Sequence, residues 1–368
     1  MSPTDAPLAA ARPTAGVLCV QPLPHAQGCR GYLVFDPERR EAAALDLHLD
    51  QVRQAAEALA AQDLRLRWVI DSHTHADHPS AAAPVAQQFG AVRVAHERAR
   101  HHGATHAPRD GEALELGRGA LTVRHAPGHT PDHLVLETEG AVFSGDSLFI
   151  GSVARTDFLG GNAGELFDTL ARVFGPLPGS TVLFPGHDYA GRIESTLAHE
   201  RATNPWLKVG ARARFVEALS ANPPPKPANM ADLLRFNREG LPLPTRISAA
   251  EARARIEAGA AVSVIDVRTD PEVDAQMIPG SRQILLDTVV ARADEVRAVP
   301  APRLLLCKAG VRAARAQAAL AALGIEGLVV IEGGIEAYKA AGGSVLPRKA
   351  GACPPSGGSA CSAGAPPP

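Results

Sequence analysis

The chain has 368 residues, 45% of them hydrophobic, with a formal net charge of -2. That length suits about two domains and a real buried core, and the charge balance leaves no basic surplus for nucleic acid or an anionic membrane surface. No apolar run approaches a bilayer span, the opening MSPTDAPLAAARPTAG predicts no signal peptide, and five scattered cysteines (Cys19, Cys29, Cys307, Cys353, Cys361) argue for a reducing compartment, taken as the cytoplasm.

Residues 1–15 are rich in Pro and Ala and are expected to be loose. From Gly16 to His48 the segments VLCV, GYLVF and AAALDL, separated by turn residues, predict a strand meander. Helical spacing follows at 50–62, then Leu64–Ile70 as a buried strand. Pro79 and Ser80 open an Ala-rich helix that stops at Gly90. AVRVAH, LTVRHA, LVLE and AVFSGD are further strands, with a His-rich loop (His101, His102, His106) among them. Strands alternating with helices, flanked by hairpins, predict two sheets covered by helices.

Between Asn204 and Leu243 the texture changes: ANPPPKPAN reads as extended and LPLP at 241–244 as a linker. A new α/β pattern begins at Ile247, with a helix at 249–258, strands VSVIDV and RLLLC, helical VRAARAQAALAAL, strand GLVVIEGG and a short helix IEAYKAA. This predicts a small parallel-sheet unit. The last twenty residues are Gly-, Pro-, Ser- and Ala-rich, which predicts disorder over 349–368.

Chemistry concentrates at strand ends. Ser72-His73-Thr74-His75-Ala76-Asp77-His78 places three imidazoles and a carboxylate in a loop directly after a strand. Pro127-Gly128-His129-Thr130-Pro131-Asp132-His133, Phe143-Ser144-Gly145-Asp146 and Pro185-Gly186-His187-Asp188 each set a His or Asp at the C-terminal end of an apolar run. Each alone is an ordinary turn sequence. Together they predict one shared metal site, since imidazole is the commonest metal ligand and loops at strand ends can converge.

These motifs resemble the metallo-β-lactamase superfamily over residues 16–240, which implies an αββα sandwich. The superfamily's full set of donors is present, so ligand count alone permits a two-zinc thioester hydrolase of the glyoxalase II type. GDSLFIGSVARTDF at 145–158, GHDYAGR, NPWL and PAN at 227–229 are more narrowly similar to persulfide dioxygenases. That resemblance implies one Fe(II) per chain held by His73, His129 and Asp146. Two imidazoles and a carboxylate leave positions open for a substrate sulfur and O2. His75, Asp77, His78 and His187 would then orient the ligands or gate protons from behind. It also implies substrate contacts from Arg155 and Tyr189, and oxidation of glutathione persulfide by O2 to sulfite and glutathione. One departure weakens glutathione as the thiol: the family has Asn-Pro-Arg-Leu where this chain has Asn204-Pro205-Trp206-Leu207.

Cys307-Lys308-Ala309-Gly310-Val311-Arg312 follows a strand and opens a helix, so loop amides, a helix N-terminus and two cations would favour a thiolate. With Ile265-Asp266-Val267-Arg268, Ile278-Pro279-Gly280 and GGIEAYKAAGG, it resembles a rhodanese domain over 245–348, although Met277 stands where that family has His. The resemblance implies a persulfide carried on Cys307, with Arg312 as a catalytic partner and Lys308 and Gly310 binding substrate.

The expected protein is therefore a cytoplasmic persulfide dioxygenase–rhodanese fusion, α/β in both domains and a homo-oligomer. Its expected partners are glutathione persulfide, glutathione, O2 and thiosulfate or sulfite. The rivals are the two-zinc thioester hydrolase with an accessory sulfur-carrier domain, and a non-catalytic persulfide carrier or sensor.

Overall fold

A computed structural model describes residues 9–25, 28–99, 101, 103–227, 230–240 and 245–348. The expected linker at 241–244, the expected disordered tail at 349–368, His102 and the Ala228-Asn229 end of the PAN motif lie outside the described residues. Two compact units, Met1–Leu241 and Pro242–Pro368, divide the chain.

In the first unit the apolar runs pair into two six-stranded sheets. The first takes its strands in chain order: Arg12–Pro13, Cys19–Pro24, Arg30–Asp36, Glu41–Leu45, Arg65–Ile70 and Val92–Val94. Its first four strands are an antiparallel meander, as expected from short turns. The last three are mutually parallel, because the helices Val52–Ala61 and Ala82–Phe89 carry the chain back between them. The second sheet has the spatial order Ser195–Thr196, Val182–Pro185, Ala141–Gly145, Leu134–Thr138, Gly119–His125 and Ala113–Leu116.

The inner faces meet through Leu18, Val20, Tyr32, Val34 and Ile70 on one side and Leu121, Val123, Leu136, Phe143 and Phe184 on the other. Each such side chain contributes about 1.5–3 kcal/mol on burial. Ala42 and Ala44 on the outer face of the first sheet let Leu59 and Val85 of the two crossover helices pack closely. Leu166, Leu170, Phe174 and Phe215 cover the outer face of the second. The result is the helix–sheet–sheet–helix sandwich.

The Pro-rich run read as extended, ANPPPKPAN, has neither helix nor strand over its described residues 222–227 and lies between the helices Arg212–Ala221 and Met230–Glu239. The first anchors through a single fully buried residue, Phe215, and the second buries Leu233 and Asn237.

The second unit has five parallel strands in the order Arg246–Ile247, Leu328–Ile331, Arg303–Leu306, Ser263–Asp266 and Arg282–Gln283. Apolar clusters lie on both faces, one around Leu305, Ala316 and Val330, the other around Leu304, Ile335 and Tyr338. A buried ion pair at 2.6 Å between Arg268 and Asp266 ties the helix Asp270–Ala275 to the sheet through the carbonyls of Glu272 and Gln276. No described helix is long and apolar enough to cross a membrane.

Candidate functional site

The strand Arg65–Ile70 ends at buried Asp71, and the loop that follows is tied from four directions. Asp46 accepts the Ser72 amide at 2.6 Å, and Asp71 accepts the Ser80 hydroxyl at 2.6 Å. Asp132 accepts the Thr74 amide and hydroxyl at 2.9 and 2.6 Å. Asn237, from the helix Met230–Glu239, donates to the carbonyls of His75 and His78 at 2.8 and 2.9 Å and accepts from the Ser80 amide. Backbone groups held this way cannot turn, so the loop presents its side chains in one arrangement.

His73, His129 and Asp146 come together, their ligand atoms all within 4.8 Å of one another. All three are buried. Each imidazole has one nitrogen occupied. His73 Nδ1 meets Ser72 Oγ at 2.9 Å, and His129 Nδ1 donates to the Arg155 carbonyl at 2.7 Å. His73 Nε2 is buried with no hydrogen-bond partner, and His129 Nε2 stands 3.8 Å from Asp146 Oδ2. Buried nitrogens without partners are costly unless something else fills the space. Two neutral nitrogens and a carboxylate converging on one point fit a divalent cation, and the held outer nitrogens set the tautomer. Gly145 (φ +47°) makes the approach possible, since a β-carbon there would fall 2.7 Å from both His133 Nε2 and Ser72 Oγ.

Behind Asp146 lies a second group. His187 Nδ1 meets Asp146 Oδ1 at 2.8 Å, and its Nε2 meets Asp77 Oδ2 at the same distance. Burial works against a charge on His187, but the two carboxylates outweigh it and hold its pKa well above the ordinary imidazole range. Asp146 shows the converse: burial raises its pKa, the His187 imidazole lowers it, and the net direction is down. His78 Nδ1 lies 3.1 Å from Asp77 Oδ2. His75 faces away from Asp146, with Nε2 3.2 Å from Asp46 Oδ1, while its buried Nδ1 has no partner.

Cys29 joins this group, although nothing in its local sequence marks it. An antiparallel bridge sets Cys29 across from His187, and its Sγ lies 3.8 Å from both Asp77 Oδ2 and His78 Nδ1. Burial pushes its thiol up, but hydrogen bonds to His187 and His78 pull the pKa down to about 7. Cys29, Asp77, His78 and His187 are also mutually within 4.8 Å. Only a cross-strand contact over more than 150 residues could reveal this, and Asn237 and Asp46 are likewise visible only through long-range contacts.

The residues expected at the substrate have the following neighbours. Arg155 holds Asp157 through Nε and Nη2 (2.7 and 2.8 Å) and donates to the carbonyls of Pro224 and Pro225 at 2.5 and 3.0 Å. It also stacks over Phe158, whose ring lies edge-on to His129. Tyr189 is 81% exposed and lies alongside the His187 ring, 5.9 Å between centroids. Trp206 packs edge-on to Phe215 in the outer apolar cluster.

In the second unit Cys307 ends its strand fully buried, and the Gly310 amide donates to Sγ at 3.1 Å. Gly310 can serve because its φ of +92° suits glycine and starts the helix Val311–Ala321. Arg312 turns toward Glu272 in a two-pronged pair at 2.6 and 2.8 Å, so its charge is already answered. Lys308 is exposed.

Comparison with known proteins agrees with this geometry. Residues 27–187 match the metallo-beta-lactamase superfamily and residues 248–341 the rhodanese-like domain. The human protein named "Persulfide dioxygenase ETHE1, mitochondrial" is 33% identical over 217 residues, covering 58% of this chain and 85% of its own length. A hydroxyacylglutathione hydrolase of Anaeromyxobacter dehalogenans is 35% identical over 219 residues, covering 56% of this chain and 81% of its own. Among solved structures, ETHE1 from Myxococcus xanthus superposes with a TM-score of 0.58 at 32% identity, covering 60% of this chain and 97% of that one. The chain thus belongs to the metallo-β-lactamase superfamily, its first unit similar to persulfide dioxygenases and continued in the same polypeptide by a rhodanese-like domain.

Proposed function

We propose that the first unit, taken as residues 16–240, is a persulfide dioxygenase working with one Fe(II) per chain in the cytoplasm. Glutathione persulfide, O2 and water would give glutathione, sulfite and two protons. The observation that carries this reading is the convergent His73–His129–Asp146 group with its buried, partnerless His73 nitrogen. A ferrous ion in that cradle would supply open positions for a persulfide sulfur and O2.

The chain's own residues have definite roles. Ser72 and the Arg155 carbonyl hold the two imidazoles in register, and Asp146 supplies the negative charge. His187, between Asp146 and Asp77, is placed to hold a proton at either ring nitrogen. Phe158 and the Arg155 strap shield His129, and exposed Tyr189 offers a face to the thiol portion of a substrate.

The second unit, taken as residues 245–348, would transfer sulfur. The Cys307 thiolate attacks the outer sulfur of thiosulfate, an S–S bond forms on Cys307, and sulfite leaves with the electron pair of the broken bond. Glutathione then takes the sulfur as glutathione persulfide. The Gly310 amide is placed to steady the anionic sulfur.

A two-zinc thioester hydrolase is the second reading, and a specific observation favours it: Cys29, Asp77, His78 and His187 form a separate group of donors. Against it stands the narrower similarity of the first unit to persulfide dioxygenases. Anaerobic purification with metal analysis, and an oxygen electrode with glutathione persulfide, decide between them. About one iron per chain and oxygen uptake are expected. Two zincs, thioester hydrolysis and no oxygen uptake would overturn the proposal.

A further inference from the structure

The first unit contains only two lysines, Lys208 and Lys226, and the arginines around the candidate site are already engaged. Arg155 is saturated by Asp157 and two proline carbonyls. Arg192 holds Asp188 through Nε and Nη2 and donates to the Ile150 carbonyl. Arg30 is buried against the carbonyls of Asp188 and Arg192. Trp206 carries no charge, and its ring is used against Phe215. An anionic thiol compound arriving here therefore meets no uncommitted guanidinium among these.

Lys226 differs. It is exposed and forms no ion pair among the described residues. It directly follows Pro224 and Pro225, whose carbonyls Arg155 grips, and the Arg155 carbonyl in turn holds His129. The lysine is thus pinned by its own backbone to the residue that orients the site. Asp157 is the carboxylate that feels its charge, yet both Asp157 oxygens are already taken by Arg155. Lys208 has no such tie; it follows Trp206 and Leu207, which pack into the outer apolar cluster.

We infer that Lys226 recognises a carboxylate of the persulfide substrate, so that the first unit selects acidic peptide thiols such as glutathione over thiols without a carboxylate. The inference rests on the persulfide-dioxygenase reading and names the specificity residue within it. An exposed ammonium next to the segment that Arg155 holds suits such recognition, because it can follow a mobile carboxylate.

The test uses the full-length protein and two readouts. Calorimetric titration with glutathione measures binding without turnover, and oxygen uptake gives KM for glutathione persulfide and for the uncharged persulfide of 2-mercaptoethanol. Lys226→Gln is expected to weaken glutathione binding and raise KM for glutathione persulfide roughly three- to tenfold at low salt, as for one exposed charge pair. KM for the uncharged persulfide should stay as in the parent, Lys226→Arg should restore most of the loss, and Lys208→Gln should match the parent. Unchanged glutathione affinity in Lys226→Gln, or an equal rise in KM for both persulfides, would overturn the assignment. If the parent takes up no oxygen with any persulfide, the dioxygenase reading fails, and the glutathione titration still decides the role of Lys226.

Discussion

The two candidate sites of this chain are built in opposite ways. In the first unit the donors arrive from the ends of four strands, His73 after Arg65–Ile70, His129 after Gly119–His125, Asp146 after Ala141–Gly145 and His187 after Val182–Pro185. Each depends on a partner from somewhere else in the chain, as His129 does on Arg155 and the His73 loop on Asn237. In the second unit one short turn carries Cys307 and the amide that faces it, that of Gly310. A dispersed site of rigid side chains suits a metal, whose affinity depends on distances set to tenths of an ångström. A single loop of amides suits a sulfur that must come and go. Damage should therefore spread through the first site and stay local in the second.

The largest effect is expected from Asp146→Ala, which removes the only anion of the His73–His129–Asp146 group. Metal content and oxygen uptake should both fall to background, whereas His187→Ala should retain most of the metal and lose about 10- to 100-fold in rate. Metal retained in full with an unchanged rate in Asp146→Ala would remove the first unit from the comparison. Cys307→Ser comes next: thiosulfate–glutathione sulfur transfer should disappear, since a hydroxyl cannot carry the sulfur, while oxygen uptake with supplied glutathione persulfide stays near the parent level. Loss of both activities would mean that the two sites are not separable.

Asn237→Ala tests whether damage spreads. Asn237 lies far along the chain from His73 but holds two buried carbonyls and an amide of the His73 loop. Leaving such groups unsatisfied costs about 1–3 kcal/mol each. A lowered melting temperature and weaker metal retention are expected, read by calorimetry and by metal analysis after dialysis. The smallest effect concerns the second site. Hydrogen bonding from Arg312, despite some burial, brings Glu272 down from its ordinary 4.5 to about 2. A depressed carboxyl pKa contributes stability above the ordinary value and loses it as the pH falls through the folded value. Glu272→Gln should thus cost at most about 1 kcal/mol at neutral pH, the pair being part-exposed. The gap should narrow below pH 4.5 and close near pH 2 in denaturant titrations. A gap that widens with acid would contradict the pairing.

How much of this is legible in the chain depends on how local the information is. Continuous apolar runs define most of the strands, because strands covered on both faces bury nearly every residue. Gly90 closes its helix in the left-handed conformation that glycine permits, as its position after an Ala-rich run suggests. The motif histidines and aspartates stand at strand ends, where side chains can converge, and the CKAGVR turn holds its own geometry. These are short-range facts that neighbouring residues dictate.

Tertiary structure alone decided which partners the charged groups chose. Arg155 and Arg312 are read from their motifs as substrate or catalytic cations, and folding also brings the Pro224 and Pro225 carbonyls to one and Glu272 to the other. Cys29 is only one of five scattered cysteines in the sequence until an isolated bridge sets it opposite His187. Asn237 is a polar residue on the buried side of its helix, and only the fold makes it the clasp of the metal-type loop. The reason is physical. A side chain's type and its neighbours along the chain set what it can bond, but a buried hydrogen bond or ion pair goes to whichever group is brought within about 3 Å, and contacts across more than a hundred residues exist only once both sheets have closed on their core.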